Sequence, residues 1–242
     1  MLKPKVKSTA YQLKLKAQEY RNSGAYKLSV KEYLSAILLD KTDFESYFGL
    51  GVSYKYLNRT DKAIEALEKA AELEVAQANV FYELGICYLV DGQICRAIQN
   101  FVKSIKLDKT NINAQLQLGI AHEALEEPEM ALTIYQKIME TNPSFVRAYE
   151  HASFLLMNLE NYTEAGKVLM KLVKVFPECI HAYLGLGLCF EKLGNLNNAK
   201  RYYKKFLSVS SDVEQIEMVS EKLRRFESCE TKQRKGAFLT LV

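Results

Sequence analysis

Three histidines, five cysteines and the carboxylates are the groups with which this 242-residue chain could do chemistry. His122, His151 and His181 are the only imidazoles, and they are far apart in sequence. A zinc site draws three or four close ligands from Cys, His and carboxylates. Even if His151 and His181 face each other from neighbouring helices, two imidazoles with no third ligand at suitable spacing make a poor one. Cys87, Cys95, Cys179, Cys189 and Cys229 are odd in number and include no Cys-x-x-Cys pair. That points away from a disulfide framework and towards a reducing compartment. Phosphate-cradling glycine loops, nucleophile elbows and carboxylates paired in a catalytic setting are all missing. The sequence therefore predicts a non-enzyme that uses no metal and no cofactor, so its function has to lie in a surface.

The elements that present this surface recur on a fixed period. Leu50-Gly51, Leu84-Gly85, Leu118-Gly119 and Leu186-Gly187 lie 34 residues apart or a whole multiple of that, with Ala152-Ser153 on the same beat. A bulky residue follows three positions later (Tyr54, Tyr88, His122, Leu156, Phe190). Further along come an invariable alanine (Ala63, Ala97, Ala131, Ala165, Ala199) and a large apolar residue (Leu67, Phe101, Tyr135, Leu169, Tyr203). Within each half-unit the apolar residues recur at three- and four-residue spacing, which is one face of a helix.

Breakers separate the halves: Asn58-Arg59-Thr60, Asp91-Gly92, Asn161-Tyr162-Thr163 and Gly194-Asn195. Pro128 stands where a helix begins, and Pro143 and Pro177 where helices stop. Small residues at the Gly and Ala slots let antiparallel helices approach closely. In this frame His122 reads as a packed core residue, and Cys87 and Cys189 as small buried apolar ones.

The composition agrees. Hydrophobic residues make up 48% of the chain, with 4 Pro, 11 Gly and no Trp. The net charge of +4 is too small to imply nucleic acid by itself. It is also unevenly placed: Lys3, Lys5, Lys7, Lys14 and Lys16 make the start basic, and Lys232, Arg234 and Lys235 contribute to a basic end. The stretch between is net acidic. No segment approaches the roughly 18 apolar residues of a membrane span, and Met1–Lys16 has no secretory apolar run, so a cytoplasmic location is expected.

These residues resemble the tetratricopeptide repeat (TPR) family over six in-register units, 10–43, 44–77, 78–111, 112–145, 146–179 and 180–213. The resemblance implies an all-α fold, a right-handed superhelical solenoid of antiparallel helix pairs. A capping helix over 212–227 closes it, with Val213, Ile216, Val219, Leu223 and Phe226 as its apolar stripe. A basic segment, 1–9, precedes the solenoid and a tail, 228–242, follows it.

In such a stack the first helix of each unit lines the concave side. The partner-binding residues expected there are Phe48, Val52, Tyr82, Ile86, Leu116, Ile120, Phe154, Met157, Leu184 and Leu188. So apolar a face suits a peptide or amphipathic helix of a protein partner. The function expected is a non-catalytic scaffold or adaptor. Self-association is a second use of the groove, with the tail Phe238–Val242 of this chain or a neighbour lying in it. The Lys/Asn clamp by which some TPR proteins hold chaperone tails is not reproduced, since its slots carry Phe48, Val52, Tyr82 and Ile86. RNA binding, which wants a basic groove with stacking surfaces, is disfavoured by the acidic middle and remains an alternative, as does a regulatory subunit of an enzyme or secretion complex.

Overall fold

The structure is a computed structural model that describes the backbone of residues 4–239 and the side chains of residues 8–228. Every regular element among the described residues is an α-helix. In chain order they are α1 (Pro4–Asn22), α2 (Tyr26–Leu39), α3 (Phe44–Tyr56), α4 (Thr60–Leu73), α5 (Ala78–Val90), α6 (Ile94–Leu107) and α7 (Ile112–Ala124). There follow α8 (Pro128–Thr141), α9 (Val146–Asn158), α10 (Tyr162–Val175), α11 (Ile180–Lys192), α12 (Leu196–Val209) and α13 (Val213–Leu239). None of them is long and apolar enough to cross a membrane.

The helix ends follow local chemistry. Asn111, Asn161, Asn195 and Asp212 each accept a hydrogen bond from the backbone N–H three residues on, satisfying an orphan donor at the start of α7, α10, α12 and α13. Pro128 opens α8, where its missing N–H costs nothing. The twice-used Leu-Asp-Lys-Thr makes the same turn both times. Asp40 accepts from Thr42, and Asp108 from Thr110, through backbone N–H and hydroxyl alike. The Thr110 hydroxyl, then its N–H, holds the Asp108 carboxyl below its ordinary pKa.

The turn inside each unit adds a second beat. Gly24, Asn58, Gly92, Glu126, Glu160 and Gly194 all have positive φ, between 56° and 77°, and they too are 34 residues apart. Each is the left-handed residue that ends a first helix and turns the chain into the second. Glycine suits this conformation best, and Glu126 and Glu160 adopt it at some cost.

The chain divides into two compact units, Met1–Ile134 and Tyr135–Val242. In the first, α1 pairs with α2, α3 with α4, and α5 with α6, and each pair lies against the next. Its core holds Ala17, Tyr33, Leu67, Val80, Leu84 and Phe101. The Leu-Gly beat marks the closest approaches. An ideal Cβ on Gly51 would lie 2.5 Å from Leu67 Cγ, and one on Gly85 2.4 Å from Phe101 Cε1.

In the second unit α9 pairs with α10 and α11 with α12. Gly187 meets Tyr203 as Gly85 meets Phe101. Val219 and Leu223 of α13 are buried against Tyr203 and Phe206, with Phe226 packed beside them. Lys222 adds an ion pair to Glu191 of α11, 2.9 Å. Val213, expected in the apolar stripe, is 77% exposed, because it is the first residue of α13 and projects beyond that core.

Both ends are more helical than expected. The segment 1–9 contributes to α1 from Pro4 onwards, with proline in its favoured first position. The capping helix does not stop at 227. It runs on to Leu239, since 228–239 holds no proline and is rich in helix formers, with Gly236 alone against it. The side chains of the tail beyond Ser228 lie outside the described residues, and so does the expectation that it fills the groove.

Candidate binding surface

The ten residues expected at the groove fall on the first helices α3, α5, α7, α9 and α11, one turn apart. The structure gives them three fates. Val52 (8% exposed) and Leu116 (0%) are core residues and offer nothing to a ligand. That corrects the sequence expectation. The helical period shows that they share a face, but not that neighbouring side chains close over it. Phe48, Tyr82 and Ile86 are half-buried against the core of the first unit, and Leu184 and Leu188 against that of the second. Ile120 and Met157 are also half-buried. Phe154 alone stands out, 63% exposed.

In the first unit the surface around Phe48 mixes apolar and polar groups, with Phe44 stacked beside it at 6.1 Å between ring centroids. Phe48 borders a cavity of about 260 Å³ shared with Gln18, Arg21, Glu45 and Asn79. Beside it Lys14 bridges Asp43 (3.0 Å) and Glu45 (2.5 Å). Burial works against the Lys14 charge, but the hydrogen bonds and attraction of those two carboxylates outweigh it and raise its pKa. Lys55 pairs with Glu83 of the next repeat at 2.5 Å. Here again burial opposes the charge, and the bond to Glu83 and its attraction prevail. Tyr56 completes this corner by stacking on Tyr26, with ring centroids 4.6 Å apart.

The second unit holds the apolar site. A cavity of about 390 Å³ opens between α9, α10 and α11. Phe154 and Met157 come from α9, Leu169 and Leu172 from α10, and His181 and Gly185 from α11. His151, Glu150, Ser153, Cys179 and Ala182 complete the lining. His151 and His181, weighed in sequence as facing imidazoles, do meet at this one cavity. The His151 ring lies 5.6 Å from that of Tyr135. Among the described residues no group of three His, Cys, Asp or Glu is placed to hold a metal ion.

Gly185 lies outside the Leu-Gly beat. It stands two residues before the Leu-Gly beat's glycine, in a slot that holds Glu83, Gln117 and His151 in the three preceding units. Gly49 occupies that slot too, but there the Tyr33 ring fills the space, 2.2 Å from an ideal Cβ. Beside Gly185 the corresponding residue is the smaller Leu169. Gly185 and Leu169 both line the cavity, and the pairing of a glycine with a leucine rather than a tyrosine is legible once the slots are compared across repeats.

The other reactive groups are held in the framework. His122 is not the packed core residue expected. It sits at the edge of the core, its side chain 13% exposed and its Nδ1 2.7 Å from a Glu127 oxygen, because an imidazole keeps a polar edge that needs a partner. Cys87 and Cys189 are buried as expected, and burial pushes both thiols up to about 11. The Tyr203 hydroxyl donates to Glu191, and burial followed by that bond raises its pKa. Cys87, Cys189 and Tyr203 are thus part of the packed core.

Paired helices in a fixed period, with an apolar opening on the first helices, define a helical-repeat protein of the kind that mediates protein–protein interaction. The tetratricopeptide repeat profile matches residues 44–74, 146–179 and 180–213, and a second profile of the same name matches 113–144. Together they cover more than half of the chain, which belongs to the tetratricopeptide repeat family. Its all-α fold is the TPR stack of helix pairs.

Solved structures show the same fold. The chain is similar over 80% of its length to YrrB, a TPR protein with an unusual peptide-binding site, at 22% identity with a TM-score of 0.61, covering 97% of that protein. A tetratricopeptide repeat protein from Parabacteroides merdae is similar over 91% of this chain and 88% of its own, at 16% identity and a TM-score of 0.70. For pilF of Pseudomonas aeruginosa the figures are 89% and 99%, 15% identity and 0.67. No curated protein sequence matches the chain.

Proposed function

We propose that this protein is a non-catalytic adaptor that holds an apolar peptide or helix of a partner protein on the first helices of its repeats. The observation that carries the reading is the second-unit cavity with Phe154 exposed at its mouth. An aromatic ring left in water beside an apolar opening is costly unless something covers it. The likeness to a peptide-binding TPR protein supports the same use of the fold. Of the ten groove residues expected from sequence, Phe154, Met157, Leu184 and Leu188 then serve the partner. Phe48, Tyr82, Ile86 and Ile120 contribute their exposed edges. The cytoplasm suits a chain whose described cysteines are all free thiols.

The test is selection of binders from a random peptide library on the wild-type protein, followed by their affinity for Phe154→Asp. An apolar peptide that binds wild type and loses at least tenfold on Phe154→Asp, with an unchanged melting temperature, is the expected result. Peptides that bind both proteins equally would place the site elsewhere.

A further inference from the structure

We infer that the cavity at Gly185 is a socket for a single aromatic side chain with a polar edge, a tryptophan or tyrosine of the partner segment. The inference rests on the adaptor reading and adds to it the residue that the partner must supply.

Its lining selects the guest. Phe154 and His151 present planar rings, and Met157 and Cys179 present sulfur. Rings attract another ring through offset or edge-on contacts, and thioether sulfur adds a favourable contact at the ring edge. Leu169 and Leu172 close the floor with plain apolar surface. At the rim Glu150 and His181 are exposed, and their side chains have no hydrogen-bond partner among the described residues. A phenol O–H or an indole N–H carried in on the edge of a ring can donate to the Glu150 carboxylate, whereas an aliphatic side chain or phenylalanine cannot. The volume, about 390 Å³, is at the small end of ligand sites and suits one side chain rather than a whole helix face.

The glycine slot also supplies a control. Glu83, Gln117 and His151 show that this position in the repeat accepts a long polar side chain. Gly185→Gln therefore fills the socket with the residue that the unit of α7 already carries. In Gly185→Ala the new Cβ would meet only Leu169 Cδ1 closely, at 2.8 Å, the mobile end of a side chain.

The experiment is a proton NMR titration of the full chain with 3-methylindole, 4-methylphenol and cyclohexylmethanol. The three histidines give three imidazole signals, of which His151 and His181 line the socket, while His122 lies in the first unit and serves as internal reference. The expected result is saturable shifts of the His151 and His181 signals with His122 unmoved. The two aromatics should bind about threefold to tenfold tighter than cyclohexylmethanol, and the shifts should vanish in Gly185→Gln. Unchanged helical circular dichroism and melting temperature certify the fold of that variant, and Gly185→Ala, which should weaken binding, stands in if it fails. Equal binding of cyclohexylmethanol would refute the aromatic preference. Undiminished binding by the folded variant, or no saturable shift, would refute the socket. These probes bypass the partner, so failure here with peptides still captured through Phe154 would sink the socket alone.

Discussion

If the Leu-Gly beat is a packing device, two glycine-to-alanine substitutions must act in opposite directions. In Gly85→Ala the added Cβ would lie 2.4, 2.6 and 2.9 Å from Cε1, Cδ1 and Cζ of Phe101. Carbon atoms rest at about 3.5–4.0 Å, so α5 and α6 must separate by roughly 1 Å. Phe101 is fully buried and has nowhere to turn. Overpacking of this kind costs about 1–3 kcal/mol, and an overlap with three ring atoms belongs at the upper end. Alanine returns about 1 kcal/mol of helix propensity, leaving a net loss of about 1–2 kcal/mol. Gly166, inside α10, is the counter-case: the nearest atom to its ideal Cβ is Cys189 Cβ at 3.9 Å, an ordinary contact. There only the propensity gain of about 1 kcal/mol remains. For a chain of this size each kcal/mol moves the melting temperature by about 2–4 °C. Thermal unfolding followed by circular dichroism should show Gly85→Ala about 2–8 °C below wild type and Gly166→Ala about 2–4 °C above. Shifts of the same sign, or a Gly85→Ala as stable as wild type, would mean that the beat does not set helix spacing.

Tyr82→Asp and Ile86→Asp, half-buried against the first-unit core, should each lose about 1–3 kcal/mol of stability; melting within a degree of wild type would return them to the open surface. Phe154→Asp should melt like wild type, as exposed positions do. Burial alone would raise the Glu191 pKa, but hydrogen bonds from Tyr203 and Lys222 and the Lys222 charge lower it below its ordinary 4.5. A lowered carboxylate stabilises the fold above its unfolded pKa and stops doing so as pH falls through the folded one. The stability gap between wild type and Lys222→Met in urea should therefore be full at pH 7 and close below about pH 4.5. A gap of constant size would show that the pair is not what ties α13 to α11. Alkylation at pH 8 read by mass spectrometry should modify exposed Cys95 first, and Cys87 and Cys189, whose thiols sit near 11, only after unfolding; early labelling of either would show that its helix pair opens.

The helix pairs were legible because a fixed period makes five copies of each slot available for comparison. Gly51, Gly85 and Gly187 pair with Leu67, Phe101 and Tyr203 as the spacing requires, and Pro128 and Asp212 open helices where their chemistry says they should. Exposure was less legible, because it depends on what neighbouring units contribute. Leu116 and Phe48 share one slot, and the sequence gives no reason to bury the first completely and the second by half. The left-handed residues Glu126 and Glu160 were hidden for a different reason. Tertiary packing of the helix pair imposes a conformation that glutamate does not itself favour.

Slots related by the period have nearly the same backbone, so differences between them are made by side chains. Val52, Ile86, Ile120, Phe154 and Leu188 share one slot, yet Val52 is buried and Phe154 is 63% exposed. Gly185 and Leu169 line the cavity beside Phe154. Gly49 and Tyr33 hold the same two slots in earlier repeats, where the Tyr33 ring takes the place of a side chain on Gly49. Substituting Leu169→Tyr, which copies the arrangement at Tyr33, should close the cavity from below, and Gly185→Gln should close it from the side. If the socket binds as inferred, both must abolish the same NMR shifts even though neither replaces a residue at its rim.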